Sequence, residues 1–143
     1  ARPLGGTIHH GLATLAAPER NLRGTRVSQA VLGILGGSGL YDLPGLDAVE
    51  ERRIATPWGE PSDALRFGRV GDTRVVFLPR HGRGHRIPPG QIDYRANVDA
   101  LKRAGVTDLV SFSACGSFRE QLRPGSFVLV DQFVDRTHKR ESS

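Results

Sequence analysis

The sequence predicts an α/β fold with a mixed central sheet flanked by helices. Short, continuous apolar runs recur along the chain, as is typical of strands that are buried on both faces of a sheet. Between two of these runs, apolar residues recur at helical spacing. A tight turn between two further runs indicates an antiparallel hairpin in the same sheet. Together these patterns favour strands and helix packed as layers around one core.

The first predicted strand covers residues 30–35 and runs directly into Gly36-Gly37-Ser38-Gly39. Residues 65–70 and 74–78 predict two more strands. The Gly71-Asp72-Thr73 turn between them predicts that they form a hairpin.

The second half of the chain predicts one helix and two strands. The helix covers residues 91–104, and Gly105 is its expected stop. A buried strand is predicted over residues 106–113. A last strand is predicted over residues 126–134, after the turn at Arg123-Pro124-Gly125.

The composition excludes several classes of protein. With 143 residues, 38% of them hydrophobic and 24% charged, the chain is expected to form one globular domain. Its apolar runs are far shorter than the roughly 20 residues of a membrane span. A single cysteine cannot form an internal disulfide, so we expect a cytoplasmic protein. The net charge of +5 suits an anionic partner, but no basic helix or aromatic platform indicates nucleic acid, and a small anion is favoured.

Residues 1–28 lack sustained periodicity and are rich in Gly, Arg and Thr. We expect them to form a poorly ordered N-terminal extension. An Arg-rich, acid-poor start is also typical of an organelle transit peptide, although the low serine content argues against one.

Three loops at predicted strand ends carry the chemistry of an anion site, because ligands of open α/β sheets bind outside the carboxyl ends of the strands. In the first loop, glycines allow close approach of the backbone and Ser38 adds a hydroxyl donor. A plain tight turn is the alternative, and the spacing fits neither the dinucleotide fingerprint nor the Walker loop.

The second loop begins with Arg80-His81. The planar guanidinium of Arg80 matches phosphate oxygens, and His81 can donate a hydrogen bond. Arg83, His85 and Arg86 raise the local positive field, and a solvated basic turn is the alternative.

The third loop is Ser113-Ala114-Cys115-Gly116-Ser117, in which Ser113 offers a hydroxyl and Ala114 a backbone N–H. A nucleophilic Cys115 would need a partner that lowers its pKa, and we favour a small wall residue instead. No metal site is predicted, because His81 and His85 lie in a Gly-rich loop without a third ligand at recognisable spacing.

Five stretches in unbroken order resemble methylthioadenosine phosphorylases of the trimeric purine nucleoside phosphorylase family. They are VLGILGGSGLY (31–41), PRHGRGHRIPP (79–89), DYRAN (93–97), SACGS (113–117) and PGSFVLVDQFVDRT (124–137). The resemblance implies a nucleoside-phosphorylase-like fold, with residues 29–137 as the N-terminal half of the phosphorylase domain. Residues 138–143 are an unmatched polar tail.

The resemblance also implies an activity. Members of this family cleave a purine nucleoside with inorganic phosphate, here methylthioadenosine to adenine and 5-methylthioribose 1-phosphate, without a further cofactor. The residues that would hold phosphate are Ser38, Arg80, His81, Ser113 and Ala114. Cys115 and Gly116 would line the purine pocket, and His85 lies in the matching loop and would help to shape it. No residue is assigned as a covalent catalyst, since phosphate is the nucleophile.

The sequence leaves several other functions open. Within the family, methylthioinosine or a 6-oxopurine nucleoside is the second choice of substrate. Outside it stand a non-catalytic phosphate- or nucleotide-binding fragment and a basic RNA-associated domain. Family members are about twice as long, homotrimeric, and complete their site with residues from the second half. We therefore expect this chain alone to be catalytically incomplete and to self-associate through an unpaired sheet edge.

Overall fold

A computed structural model describes residues 30–136, where it shows a five-stranded mixed sheet and one α-helix. The predictions for residues 1–28 and 138–143 lie outside this range. The elements are β1 (Val31–Gly36), β2 (Asp47–Arg52), β3 (Leu65–Val70), β4 (Thr73–Pro79), α1 (Tyr94–Arg103) and β5 (Asp108–Ser111). The order across the sheet is β2-β3-β4-β1-β5.

The sheet is parallel on one side and antiparallel on the other. β1 pairs in parallel with β4 and with β5, whereas β3 pairs antiparallel with β4 and with β2. The predicted α/β class with a mixed sheet is therefore confirmed. Because β1, β4 and β5 run in the same direction, their carboxyl ends meet at one edge of the sheet, and the loops that follow them begin there.

β1 lies between its two parallel neighbours, β4 and β5, and is covered on both faces of the sheet, and its residues suit that position. Val31, Ile34 and Leu35 are buried. Gly33 faces Val106 so closely that a Cβ there would lie 2.6 Å from Cγ1 of that valine. A strand that is covered on both faces is typically a continuous apolar run. The glycine lies where the neighbouring side chain of Val106 comes closest to the strand.

Each face of the sheet has its own apolar cluster. On one face, Ala100 and Leu101 of α1 pack against residues of β1, β3 and β4. On the other face, the connection between β1 and β2 supplies Leu40, Leu43 and Leu46, which pack against Phe77 and its neighbours. The core therefore lies between α1 and the 40–46 connection.

The hairpin and the helix form as the sequence predicts, with small shifts at their ends. Val70 pairs with Thr73 across the β3–β4 turn. The helix begins at Tyr94 and not at 91, since the Asp93 carboxylate accepts the Ala96 N–H at 2.9 Å and caps the first turn. The residues just before it, Pro89–Gln91, form a 3₁₀ turn. Gly105, at φ +86°, follows the helix as expected.

Two strand predictions in the C-terminal part were wrong. The predicted buried strand 106–113 is shorter, and all four residues of β5 are exposed. The predicted strand 126–134 does not form, and side chains such as Phe127, Leu129 and Phe133 are more than four-fifths exposed. Both differences have one cause. Within residues 30–136 no further strand pairs with β5, so the apolar side chains beyond it have no surface on which to pack.

β2 is a strand that the sequence did not predict. Its residues, DAVEER, are mostly charged and show no alternating pattern. The strand forms because the backbone of β3 offers a partner edge, with Glu51 opposite Arg66.

Candidate anion-binding site

The three predicted loops lie together at the carboxyl edge of the parallel strands. Gly37 and Ser38 follow β1, Arg80 and His81 follow β4, and Ser113 lies two residues beyond the end of β5. The loop after β4 is anchored to β1, because the Arg80 N–H donates to the Gly36 carbonyl at 3.0 Å. The loop after β5 is anchored in the same way, through a 3.0 Å bond from the Phe112 N–H to the Leu35 carbonyl.

Arg80 connects all three loops. Its guanidinium Nη1 donates to the Phe112 carbonyl at 2.6 Å. Both of its terminal nitrogens lie against Gly37, at 2.9 and 3.0 Å from the position that a Cβ would occupy there. The side chain is half-buried, so the fork is held by one hydrogen bond and still reaches solvent. A fixed guanidinium that keeps N–H groups available is suited to a phosphate or a carboxylate.

His81 is buried beside Arg80, with 3% of its surface exposed. Its Nδ1 lies 3.0 Å from the carbonyl oxygen of Ile87. A carbonyl only accepts, so Nδ1 carries the hydrogen. It follows that Nε2 is an acceptor in the neutral ring and donates to an anion only when the ring is cationic.

His85 covers His81. The two imidazoles are stacked, with centroids 4.6 Å apart and planes inclined by 9°. His85 has φ +55°, and Tyr41, from the loop after β1, hydrogen-bonds its Nδ1. A non-glycine residue in the left-handed region is costly, and such strain is concentrated at functional sites. The loops after β1 and β4 are therefore joined a second time, above the histidines.

Asp63 lies beneath the loop after β4 and is buried, with 4% of the residue's surface exposed. It accepts the backbone N–H of Arg83 at 2.7 Å and that of Ala64 at 2.8 Å. Burial by itself would raise the pKa of Asp63. The two backbone N–H groups, with the charges of Arg83 and Arg86, outweigh burial and hold this pKa below its ordinary value.

The remaining predicted residues lie on exposed chain. Ser38, Ser113, Ala114, Cys115 and Gly116 are all exposed. Nothing lies within 4 Å of the position of a Cβ on Gly116, and the Cys115 thiol is free. The structure thus assembles the Arg80–His81 side of the site, while the predicted purine side, Cys115 and Gly116, forms no enclosed wall.

Sequence reasoning missed several residues that build this geometry. Tyr41 and the Phe112 carbonyl were given no role, and Asp63 was assigned none. No local signal marks them, because each acts through a contact with a residue more than 15 positions away. In the part of the chain that the structure describes, no group of three or more His, Cys, Asp and Glu residues could hold a metal ion. No helix in that part is long and apolar enough to span a membrane.

Residues 31–143 match the model of the phosphorylase superfamily. The chain belongs to the phosphorylase superfamily. Among similar members, the S-methyl-5′-thioadenosine phosphorylase of Bradyrhizobium diazoefficiens is 68% identical over 117 residues, which are 82% of this chain and 40% of that protein. The S-methyl-5′-thioadenosine phosphorylase of Cereibacter sphaeroides is 55% identical over 115 residues, 80% of this chain and 40% of its own length.

Solved structures of the superfamily show the same fold. Methylthioadenosine phosphorylase from Schistosoma mansoni, in complex with adenine, matches with a TM-score of 0.73 and 51% identity over 78% of this chain and 40% of that one. A mutant adenosine/methylthioadenosine phosphorylase of the same organism, in complex with methylthioadenosine, also matches with a TM-score of 0.73, at 50% identity. The chain thus spans about two-fifths of the length of these superfamily members.

Proposed function

We propose that this chain forms the phosphate-binding part of a methylthioadenosine phosphorylase. The reaction is the cleavage of S-methyl-5′-thioadenosine by inorganic phosphate to adenine and 5-methylthioribose 1-phosphate. Phosphate is a co-substrate, and no other cofactor takes part. The full-length enzyme is a cytoplasmic homotrimer in this proposal.

One observation carries the proposal: the Arg80 guanidinium is fixed at the point where the three loops meet. It is held by the Phe112 carbonyl and lies against Gly37, which has no side chain to displace it. Its remaining N–H groups, the Ser38 hydroxyl, and the Ser113 hydroxyl with the Ala114 N–H would surround an anion at this edge of the sheet. The choice of S-methyl-5′-thioadenosine as the nucleoside is based on the names of the similar superfamily members.

The chemistry needs such a site. Cleavage of the N-glycosidic bond places positive charge on the sugar ring, as in other glycosyl transfers. A phosphate held by Arg80 and His81 beneath the ring stabilises that charge and then attacks the anomeric carbon. The protein contributes orientation and electrostatic stabilisation and forms no covalent intermediate.

The geometry adds a requirement for His81. Since its Nδ1 hydrogen is committed to the Ile87 carbonyl, its Nε2 donates to phosphate only from the cationic ring. A cationic His81 would be stabilised by the phosphate dianion that it contacts. We accordingly assign His81 to charge stabilisation of bound phosphate, and Cys115, Gly116 and His85 to contacts with the nucleoside.

The test is phosphate-dependent release of adenine from methylthioadenosine. It is made with the 143-residue chain, and with a graft in which residues 31–136 replace the aligned segment of the Bradyrhizobium enzyme. Adenine release by the graft that requires phosphate supports the proposal. If the graft released hypoxanthine from methylthioinosine at a higher kcat/KM than adenine from methylthioadenosine, the preferred substrate would be a 6-oxopurine nucleoside. A folded graft that turns over neither methylthioadenosine nor methylthioinosine would refute the proposal.

A non-catalytic phosphate-binding segment is the second candidate. One observation favours it: the Arg80–His81 side is assembled, whereas Cys115 and Gly116 are exposed. Separate titrations of the 143-residue chain with phosphate and with adenine distinguish the two. Binding of phosphate without binding of adenine, together with an inactive graft, would favour this candidate.

A further inference from the structure

Two backbone hydrogen bonds within residues 80–87 shape the loop after β4, whose first residue, Arg80, is also bonded to Gly36 and Phe112. The His85 N–H donates to the Gly82 carbonyl at 3.2 Å, and the Ile87 N–H donates to the His81 carbonyl at 3.0 Å. These bonds give the loop its shape, but they do not determine how it sits on the sheet. Its position depends on contacts with other segments.

The segment just before β3 supplies such contacts. The Asp63 carboxylate accepts the Arg83 N–H at 2.7 Å, two residues beyond His81. The Ser62 carbonyl accepts a 2.6 Å bond from the Arg86 guanidinium. Gly82 packs against the same carbonyl so tightly that a Cβ there would lie 3.1 Å from it.

Helix α1 fixes that segment in turn. Asn97 is fully buried, and its Oδ1 accepts the Ser62 N–H at 2.8 Å. Its Nδ2 donates to the Ser62 hydroxyl at 2.9 Å, so that both ends of the amide are used. A buried polar pair with its hydrogen bonds made is rigid and costly to disturb. The series of contacts therefore runs from the core of the helix, through Ser62 and Asp63, to the loop that carries Arg80 and His81.

We propose that Asp63 is a positioning residue, whose buried carboxylate fixes loop 80–87 in the conformation in which Arg80 and His81 receive phosphate. The inference rests on the proposed function. Asp63 does not touch phosphate itself. It acts through the Arg83 N–H, and the Asn97–Ser62 pair acts by holding Asp63 in place.

The variant Asp63→Asn tests this directly. Its amide can keep one hydrogen bond to the Arg83 N–H, but it loses the charge and places an NH₂ group among donors. Asp72→Asn, in the exposed β3–β4 turn, removes the same charge away from the loop and is the matched control. We expect phosphate binding by Asp63→Asn to weaken by about tenfold, the order for weakening a hydrogen bond to a charged group. Asp72→Asn is expected to bind as the wild type does.

Two readouts separate positioning from a general loss of structure. In the graft, Asp63→Asn should raise the KM for phosphate more than the KM for the nucleoside. In the 143-residue chain, amide hydrogen exchange should become faster within residues 80–87, while that of the buried residues of β1 stays unchanged. An equal rise in both KM values, or phosphate affinity equal to that of the control, would overturn the inference. Absence of phosphate binding by the wild-type chain would instead overturn the proposed function.

A second pair of variants decides the matter if Asp63→Asn does not fold. Arg86→Gln and Arg83→Gln each remove one exposed positive charge from the loop. Both guanidiniums lie near the Asp63 carboxylate, at 3.5 Å for Arg86 and 3.7 Å for Arg83. Only Arg86 also donates to the Ser62 carbonyl, whereas the Arg83 guanidinium makes two hydrogen bonds to Glu51. Greater loss of phosphate affinity in Arg86→Gln supports fixation of the loop through the 62–63 segment. An equal loss would show that the bond from Arg86 to Ser62 adds nothing to the effect of charge that the two arginines share, and would contradict the inference.

Discussion

Substitution of Gly37 by alanine tests the central contact of the site. The added Cβ would lie 2.2 Å from the Phe112 carbonyl oxygen and 2.9 Å from Nη1 of Arg80. Real Cβ atoms do not approach so closely, so the backbone at Phe112 or at Gly37 must shift, and a move of the guanidinium alone would not relieve the contact. Overpacking of this kind typically costs about 1–3 kcal/mol of the free energy of unfolding. It would also break or stretch the 2.6 Å bond from Arg80 to Phe112.

The assay is urea unfolding of the 143-residue chain with Gly90→Ala as the matched control. A Cβ on Gly90 meets nothing within 4 Å, so this change should stay within about 0.5 kcal/mol of the wild type. Gly37→Ala should be less stable by about 1–3 kcal/mol and should bind phosphate more weakly. If the two variants were equally stable and bound phosphate equally well, the close packing of Arg80 on Gly37 would not be a feature of the folded protein.

Three further predictions concern the site and its surroundings. Arg80→Lys in the graft keeps the charge but loses the planar fork, so it should raise the KM for phosphate by about tenfold or more and the KM for the nucleoside by less. Equal changes in the two KM values would show that Arg80 does not bind phosphate. Cys115→Ser should retain most of the turnover in the same assay, since the exposed thiol is proposed as a contact and not as a nucleophile, and complete loss of activity would contradict that role. Asp63 should stabilise the fold at neutral pH and lose this effect in acid. Because its pKa is lower in the folded than in the unfolded chain, the unfolded chain binds the proton first as the pH falls, and the stabilisation is lost between the unfolded-state and the folded-state pKa. The difference in urea midpoint between wild type and Asp63→Asn should therefore shrink from about pH 7 to about pH 3, and a constant difference would argue against an ionised carboxylate as its cause.

Much of the sheet could be predicted because the apolar residues of its buried strands are visible in the sequence. β1, β3 and β4 are short apolar or alternating runs, and the turn at Gly71 joins the last two. β2 could not be predicted in this way. Its charged residues form a strand only because β3 presents an edge for backbone pairing.

The wrong prediction for residues 126–134 shows the opposite case. The apolar content there indicates what the residues could do beside a neighbouring strand, and no such neighbour is present among residues 30–136. Arg80 and His81 stood out as candidates because charged groups follow a strand end. Asp63 and Asn97 did not, because their importance depends on contacts across 20 and 35 residues of chain.

The bond from Arg80 to Phe112 also couples ligand binding to folding. It connects the ends of strands that lie far apart in sequence, on either side of β1. An anion that binds only this assembled edge draws the equilibrium towards the folded chain. At 100 times its dissociation constant, such a ligand contributes about 2.7 kcal/mol of stability. In the proposed function, inorganic phosphate would thus act as a folding ligand as well as a reactant, and phosphate-free buffer would be the least favourable condition in which to purify or refold the protein.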